Sequence, residues 1–301
     1  MEQTRRFNQE KSIWIHVNQQ DTAEIRKLQS QYQISDEMLR YSLDKNERAR
    51  VEYDSEESAF LLVFNVPHQE KEDNHYEASP MTFIIKENCV FSFASEQTDY
   101  IQPLMASILQ KMPEQSQFSF LFHTLFLIAD AFFPLIEEVN GQRVRLNKRL
   151  REKTTNKNLL ELSDLEVGLV YLVTATKQNA VLLQQIKALS FFRQLNATEQ
   201  EQLDDALIEA QQAVEMTQLA SQVLEQLSGA YNNLLNNNLN DTMKFLTLWS
   251  LMLTVPTIVT GFFGMNMPLP FSKSAFGWGI VVLISLFLAI WMFIGFWRRI
   301  R

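Results

Sequence analysis

The sequence predicts an α+β protein in three successive parts: a mixed α/β domain over residues 1–112, a bundle of long helices over 113–241, and two membrane-spanning helices over 242–301. Three observations predict it. Short runs rich in Ile, Val and Phe crowd the first hundred residues. From about residue 99 helical patterning takes over. Two long apolar runs without a single charge then occupy residues 245–263 and 276–297.

In the first part, Ser12–Val17, Ser58–Val66, Met81–Lys86 and Cys89–Ala94 read as strands, the last two joined by a hairpin turn at Glu87-Asn88. Asp21 followed by Thr-Ala-Glu24 opens an amphipathic helix, and Ser35 before Asp36-Glu37 opens another. Phe118–Ile136 is apolar enough to suggest a membrane span. It contains His123, Asp130 and Pro134 and continues into Glu137-Glu138, so it reads as a buried helix of the soluble part. Thr154–Asn158 separates two long helices, and Asn196-Ala197-Thr198 starts the longest. From Thr198 to Thr260 there is one glycine, Gly229, and one proline, Pro256. An unbroken helix there is roughly 95 Å long and runs from the soluble part into the membrane. Leu203, Leu207, Ala210, Val214, Thr217, Leu224, Tyr231 and Leu235 recur at a spacing near 3.5, which suits either packing against copies of the same helix or a face of a bundle within one chain.

Each of the two apolar runs is roughly 30 Å long as a helix, about the thickness of a bilayer's hydrocarbon core. Lys244 precedes the first, Arg298, Arg299 and Arg301 follow the second, and Lys273 alone lies between them. The positive-inside rule places both termini in the cytoplasm, with a short outer loop near Met267–Ala275.

The chain is −8 overall, and its last sixty residues carry five basic groups and no acid, so residues 1–241 carry −13. That balance argues against nucleic acid, which needs a basic footprint, and suits attraction of cations. Cys89 is the sole cysteine, so no disulfide forms within a chain, and the charged N-terminus lacks the apolar core of a signal peptide. The first glycine is Gly141, which leaves the α/β region without a phosphate-binding glycine loop. The four histidines show no zinc-ligand spacing; His68 and His75 sit in a polar loop that is a weak candidate for a structural metal. No nucleophile or acid–base constellation appears, so the sequence does not read as an enzyme.

Asn240, Met243, Leu246 (or Thr247), Ser250, Thr254, Thr257 and Gly261 follow one another at spacings of three and four, one stripe of a helix that is mostly polar or small. Phe245, Leu248, Trp249, Leu251 and Phe262 lie off it. Such a stripe is unfavourable against lipid and should face protein or water. It ends at Gly264-Met265-Asn266, beyond Gly261-Phe-Phe. Gly-Met-Asn at the outer end of the first of two C-terminal spans resembles the signature of CorA-type magnesium transporters. The resemblance extends to Met243-Lys244-Phe-Leu-Thr247, to Trp14-Ile-His-Val17, Leu39–Leu43, Arg50-Val-Glu-Tyr53 and Phe60–Pro67, and so covers nearly the whole chain.

The resemblance implies a homopentameric, Mg²⁺-conducting channel of the plasma membrane, closed by cytoplasmic Mg²⁺, with the polar stripe lining the pore. Gly264, Met265 and Asn266 would form the selectivity filter, Asn266 as a ring whose amide oxygens accept hydrogen bonds from a hydrated ion. Gly264 would let the backbone turn, Met265 would pack behind, and Met243 and Leu246 would form an apolar constriction. It further implies that an acidic pair between neighbouring subunits binds regulatory Mg²⁺. Asp205, beside Asp204, is the choice on the long helix; Glu70, Glu72, Asp73 and Glu77 crowd one loop, and which acid would partner Asp205 is left open. Two departures weigh on the ion: the outer loop has no acidic residue, and Thr254 stands where some relatives carry a bulky apolar side chain. A Co²⁺, Ni²⁺ or Zn²⁺ transporter of the same fold, and a non-conducting membrane-anchored sensor, are the alternatives.

Overall fold

The computed structural model describes residues 3–55, 57–265 and 276–300. They fall into two compact units, Met1–Leu227 and Ser228–Arg301.

The first unit is built on a six-stranded sheet. Its strands are β1 (Gln3–Phe7), β2 (Ser12–Asn18), β3 (Arg50–Asp54), β4 (Ala59–Pro67), β5 (Ala78–Lys86) and β6 (Cys89–Ala94). They lie in the order β1-β2-β6-β5-β4-β3, with only β2 and β6 parallel. Lys86 pairs with Cys89, so Glu87-Asn88 is the two-residue turn expected, with Glu87 at φ 53°. Two strands were not expected. β1 is Gln-Thr-Arg-Arg-Phe, a polar edge strand whose sequence carries no apolar alternation, and β3 is half-buried at the other edge.

Helices cover both faces of the sheet. The helices α1 (Thr22–Tyr32) and α2 (Asp36–Leu43) are capped as the sequence predicts, Asp21 accepting from the Glu24 N–H and Ser35 from the Met38 N–H. Ile25, Leu28, Met38 and Leu39 join the core that holds Leu61, Val63, Ile84, Phe91 and Phe93. On the other face the chain runs through α3 (Ile101–Lys111), α4 (Gln117–Asp130), α5 (Phe132–Glu152) and α6 (Asn156–Ile186). Phe120 of α4 packs edge-on against Trp14, and Phe118 against Phe60. With both faces covered, β4 is buried at every position, which explains its unbroken apolar run. The apolar stretch 118–136 is mostly buried, as expected, but it is two helices. The chain turns at Ala131, and Pro134 sits in the first turn of α5, where its missing N–H costs nothing.

The long helix α7 spans Ala197–Phe263. Its start is a reciprocal cap: Glu199 N–H donates to Asn196 Oδ1 (2.9 Å), and Asn196 N–H donates to Glu199 Oε2 (2.8 Å). Leu203, Ala210, Thr217 and Leu224 are buried within the protomer, and Thr217 Oγ1 meets Thr176 Oγ1 of α6 at 3.1 Å. This part of the 3.5-spaced stripe is therefore a face of the chain's own bundle and not a seam between copies. α8 (Gly277–Ile300) completes the second unit.

One contact stabilises the sheet in a way the sequence does not disclose. β3 pairs with β4 only as far as Val63. Beyond it, the side chain of Asn179 on α6 takes the place of a strand: its Oδ1 accepts from the Asn65 N–H (2.9 Å) and its Nδ2 donates to the Asn65 carbonyl (2.8 Å), both buried. Asn179→Leu leaves both backbone groups without partners, at about 1–3 kcal/mol each. We expect chemical denaturation to register a loss of at least about 2 kcal/mol for this variant; an unchanged midpoint would mean that water replaces the amide.

Candidate functional site

The second unit presents two opposite faces of α7. From Asn240 onward, Leu248, Leu251, Met252, Val255, Pro256, Val259 and Phe263 are its partly covered positions. Among the described residues of α8 the buried positions are Gly277, Ser285 and Ala289, small residues that let a second helix come close. Asn240, Met243, Leu246, Ser250, Thr254, Thr257 and Gly261 are all exposed, with Met243 at 59% and Leu246 at 65%. At about 100° per residue, the centres of the covered and exposed stripes lie roughly 180° apart. The predicted pore-lining stripe thus lies on the side of the helix away from its covered positions, amid other exposed residues such as Trp249, Leu253 and Ile258.

Its hydroxyls are oriented by the helix itself. Thr247 Oγ1 donates to the Met243 carbonyl (2.8 Å), Ser250 Oγ to Leu246 (2.9 Å), Thr254 Oγ1 to Ser250 (2.7 Å) and Thr257 Oγ1 to Leu253 (2.8 Å). Each hydroxyl spends its one hydrogen on the backbone four residues back and keeps its lone pairs for the exposed side. The stripe therefore offers acceptors and almost no donors. Pro256 removes one N–H from the helix ladder, the bond that the Met252 carbonyl would otherwise accept, and Thr260 Oγ1 donates to the Pro256 carbonyl (2.9 Å).

Gly264 N–H donates to the Thr260 carbonyl (2.9 Å) and Met265 N–H to that of Phe262 (3.4 Å) as α7 ends. No described glycine has positive φ, so left-handed freedom is not what Gly264 supplies. A Cβ there would stand 3.2 Å from the Thr260 oxygen, a tight contact with the last turn of α7. Met265 is half exposed. Asn266 lies outside the described residues.

Near the start of α7 the two acidic candidates differ. Asp204 is ion-paired with Lys187, which neutralises it within the protomer. Asp205 is exposed.

A group that sequence spacing did not single out lies in the β4–β5 loop. His68, Glu72 and Glu77 bring one ligand atom each within 4.8 Å of one another. His68 directly follows β4 and Glu77 directly precedes β5, and the His68 N–H donates to the Glu77 carbonyl (2.9 Å). Asp73 and Asn74, both at positive φ, turn the loop tip, and Glu72 and His75 bond to each other across it, so the chain folds Glu72 back beside His68. The polar loop was visible in the sequence, but this fold-back was not. The tip rests on α6, where a Cβ at Gly168 would stand 3.2 Å from both His75 Cβ and the Tyr76 nitrogen, and His75 stacks on Tyr171.

A family profile described as "CorA-like Mg2+ transporter protein" matches residues 9–299. The cobalt/magnesium transport protein CorA of Methanocaldococcus jannaschii is 24% identical over 298 residues, which are 97% of this chain and 92% of that protein. The complete structure of that transporter aligns over 96% of this chain and 90% of its own with a TM-score of 0.79. The full-length CmaX protein, at 15% identity, aligns over 92% of this chain and 87% of its own with a TM-score of 0.68. At these identities the two structures establish the shared fold.

Proposed function

The chain belongs to the CorA-like Mg²⁺ transporter family, whose members are membrane transporters of divalent cations and not enzymes, and from that premise we propose that it is a homopentameric channel conducting Mg²⁺ into the cytoplasm. The observation that carries the reading is the exposed stripe of α7 from Asn240 to Gly261, with its hydroxyl hydrogens turned onto the backbone. Mg²⁺ gives up its water reluctantly, and its bound waters point their hydrogens outward. A wall of acceptors pairs with those hydrogens without stripping the ion. Five copies of the stripe around an axis would also give the uncovered face of α7 its cover. The stripe supplies hydroxyl and amide oxygens and one thioether, with no imidazole or thiolate, which favours Mg²⁺ over softer metals. The charge asymmetry supports cytoplasmic termini in the plasma membrane, with the −13 portion gathering cations on the inner side.

The test is flux. Purified protein in liposomes should admit Mg²⁺ to an enclosed fluorescent indicator, and protein-free liposomes should not. Folded, inserted protein that passes no divalent cation would leave the non-conducting sensor as the surviving reading.

Inhibition by cytoplasmic Mg²⁺ is assigned to Asp205. It is exposed on the first turns of α7, while the neighbouring Asp204 is held by Lys187. A Mg²⁺ ion shared between Asp205 and an acidic loop of the next subunit would relieve carboxylate repulsion and favour the closed state. The current through Asp205→Ala should then stay constant as cytoplasmic Mg²⁺ rises, whereas the parent current falls. Inhibition identical to that of the parent would remove Asp205 from the mechanism.

A further inference from the structure

We propose that the tip of the β4–β5 hairpin binds a divalent transition-metal ion of the Zn²⁺ or Co²⁺ class, held by His68, Glu72 and Glu77. The site is separate from the transport stripe and lies within a single protomer.

The geometry is close to that of a bound ion. Donors on a tetrahedral ion with bonds of about 2.1 Å stand roughly 3.4 Å apart. Here the three ligand atoms lie within 4.8 Å, and His68 Nδ1 is 3.8 Å from Glu72 Oε2. That distance is too long for a hydrogen bond, so Nδ1 makes none, although its side chain is only 6% exposed. The other ring nitrogen is fixed: Nε2 meets Ser79 Oγ at 2.7 Å. When the serine oxygen accepts from Nε2–H, the Nδ1 lone pair is left free on the side of Glu72, the arrangement that outer partners impose on metal-bound histidines.

The surrounding charges leave the glutamates available. Lys71, the basic residue of the loop, has its ammonium engaged by α5, at Gln142 Oε1 (2.8 Å) and Glu138 (3.7 Å). Glu77 spends one oxygen on His75 Nε2 (3.0 Å), and a carboxylate has a second to give. His68 and Glu72 line a cleft together with Glu70, Lys71 and Glu96, three carboxylates to one ammonium, which gives a cation a net acidic approach. One imidazole with two carboxylates is a mixed nitrogen and oxygen set. It suits Zn²⁺, Co²⁺ or Ni²⁺ and discriminates against Mg²⁺, which favours oxygen and keeps its waters.

The test uses full-length, metal-stripped protein in detergent, titrated calorimetrically with Zn²⁺ in a large excess of Mg²⁺. The parent should bind one Zn²⁺ per chain that Mg²⁺ does not displace. Glu72→Gln should weaken that site by roughly tenfold or more, since even outer-partner changes cost that much at metal sites, and His68→Gln should do the same. Glu70→Gln, in the same cleft but outside the cluster, should bind as the parent does. Glu72 is exposed, so its variant keeps the fold and carries the test even if His68→Gln does not fold. Zn²⁺ binding unchanged in Glu72→Gln, or displaced from the parent by Mg²⁺, overturns the assignment.

Discussion

Asn266→Ala is expected to lower Mg²⁺ uptake into proteoliposomes by well over tenfold, with assembly and thermal stability unchanged. Asn266 follows Gly264 and Met265 directly, just past the end of α7 at Phe263. On the proposed pentamer its amides ring the outer mouth. Each amide oxygen accepts from a water of the hydrated ion, and each such bond contributes about 1 kcal/mol net. Roughly 1.4 kcal/mol is tenfold in an equilibrium constant, so losing several bonds together exceeds that. A mouth residue contributes little packing, so the oligomer should survive. Asn266→Asp keeps the size and the acceptors but adds a ring of negative charge, so ions should bind more tightly and be discriminated less. An Asn266→Ala protein that assembles and transports Mg²⁺ at the parent rate would refute the filter.

The second large effect is expected from a thiol series in a Cys89→Ser background. Cysteines at Ser250, Thr254 and Thr257 should react with a positively charged, water-soluble thiol reagent, and the reaction should cut Mg²⁺ flux more than tenfold. Several added positive charges in a narrow passage repel a divalent ion strongly wherever water is scarce, since each pair at about 4 Å and an effective dielectric of 20 costs about 4 kcal/mol. Cysteines at Trp249 and Phe262 are the controls. Both positions are about as exposed in the protomer as the stripe, at 51% and 53%, but they lie off it. Facing lipid or a neighbour, such thiols stay protonated and react slowly. Block at Trp249 or Phe262 equal to that at Thr254 would rotate the pore to another face of α7.

What could be read from the sequence divides by range. The stripe of α7 was legible because helix geometry alone places residues three and four apart on one face. The caps at Asp21 and Ser35 and the turn at Glu87-Asn88 were legible for the same reason: each is settled within four residues. β1 was not, because an edge strand needs no buried face and Gln-Thr-Arg-Arg-Phe carries no alternation to signal one. The use of Leu203, Ala210 and Thr217 inside the protomer was undecidable from spacing, which is the same for a self-seam and a bundle face. Asn179 bonding to Asn65, 114 residues earlier, and Glu72 folded back on His68 depend on tertiary placement that no local pattern encodes.

The inward-turned hydroxyls of α7 have a consequence for anions. Chloride orders its hydration waters with hydrogens toward the ion and oxygens outward, so it needs donors from any wall it passes. Ser250, Thr254 and Thr257 have already committed their hydrogens to carbonyls within the helix. In the proposed pore this makes a wall that carries no net charge and still tells the sign of a permeating ion. Permselectivity of that kind arises from dipole orientation. It is therefore largely indifferent to ionic strength, which screens fixed charges over about 10 Å at 0.1 M but leaves a short hydrogen-bonded contact intact. A neutral wall also releases the ion it selects, and this reconciles discrimination with throughput in a passage that has no carboxylate along Asn240–Gly261 apart from Asp241 at its inner end.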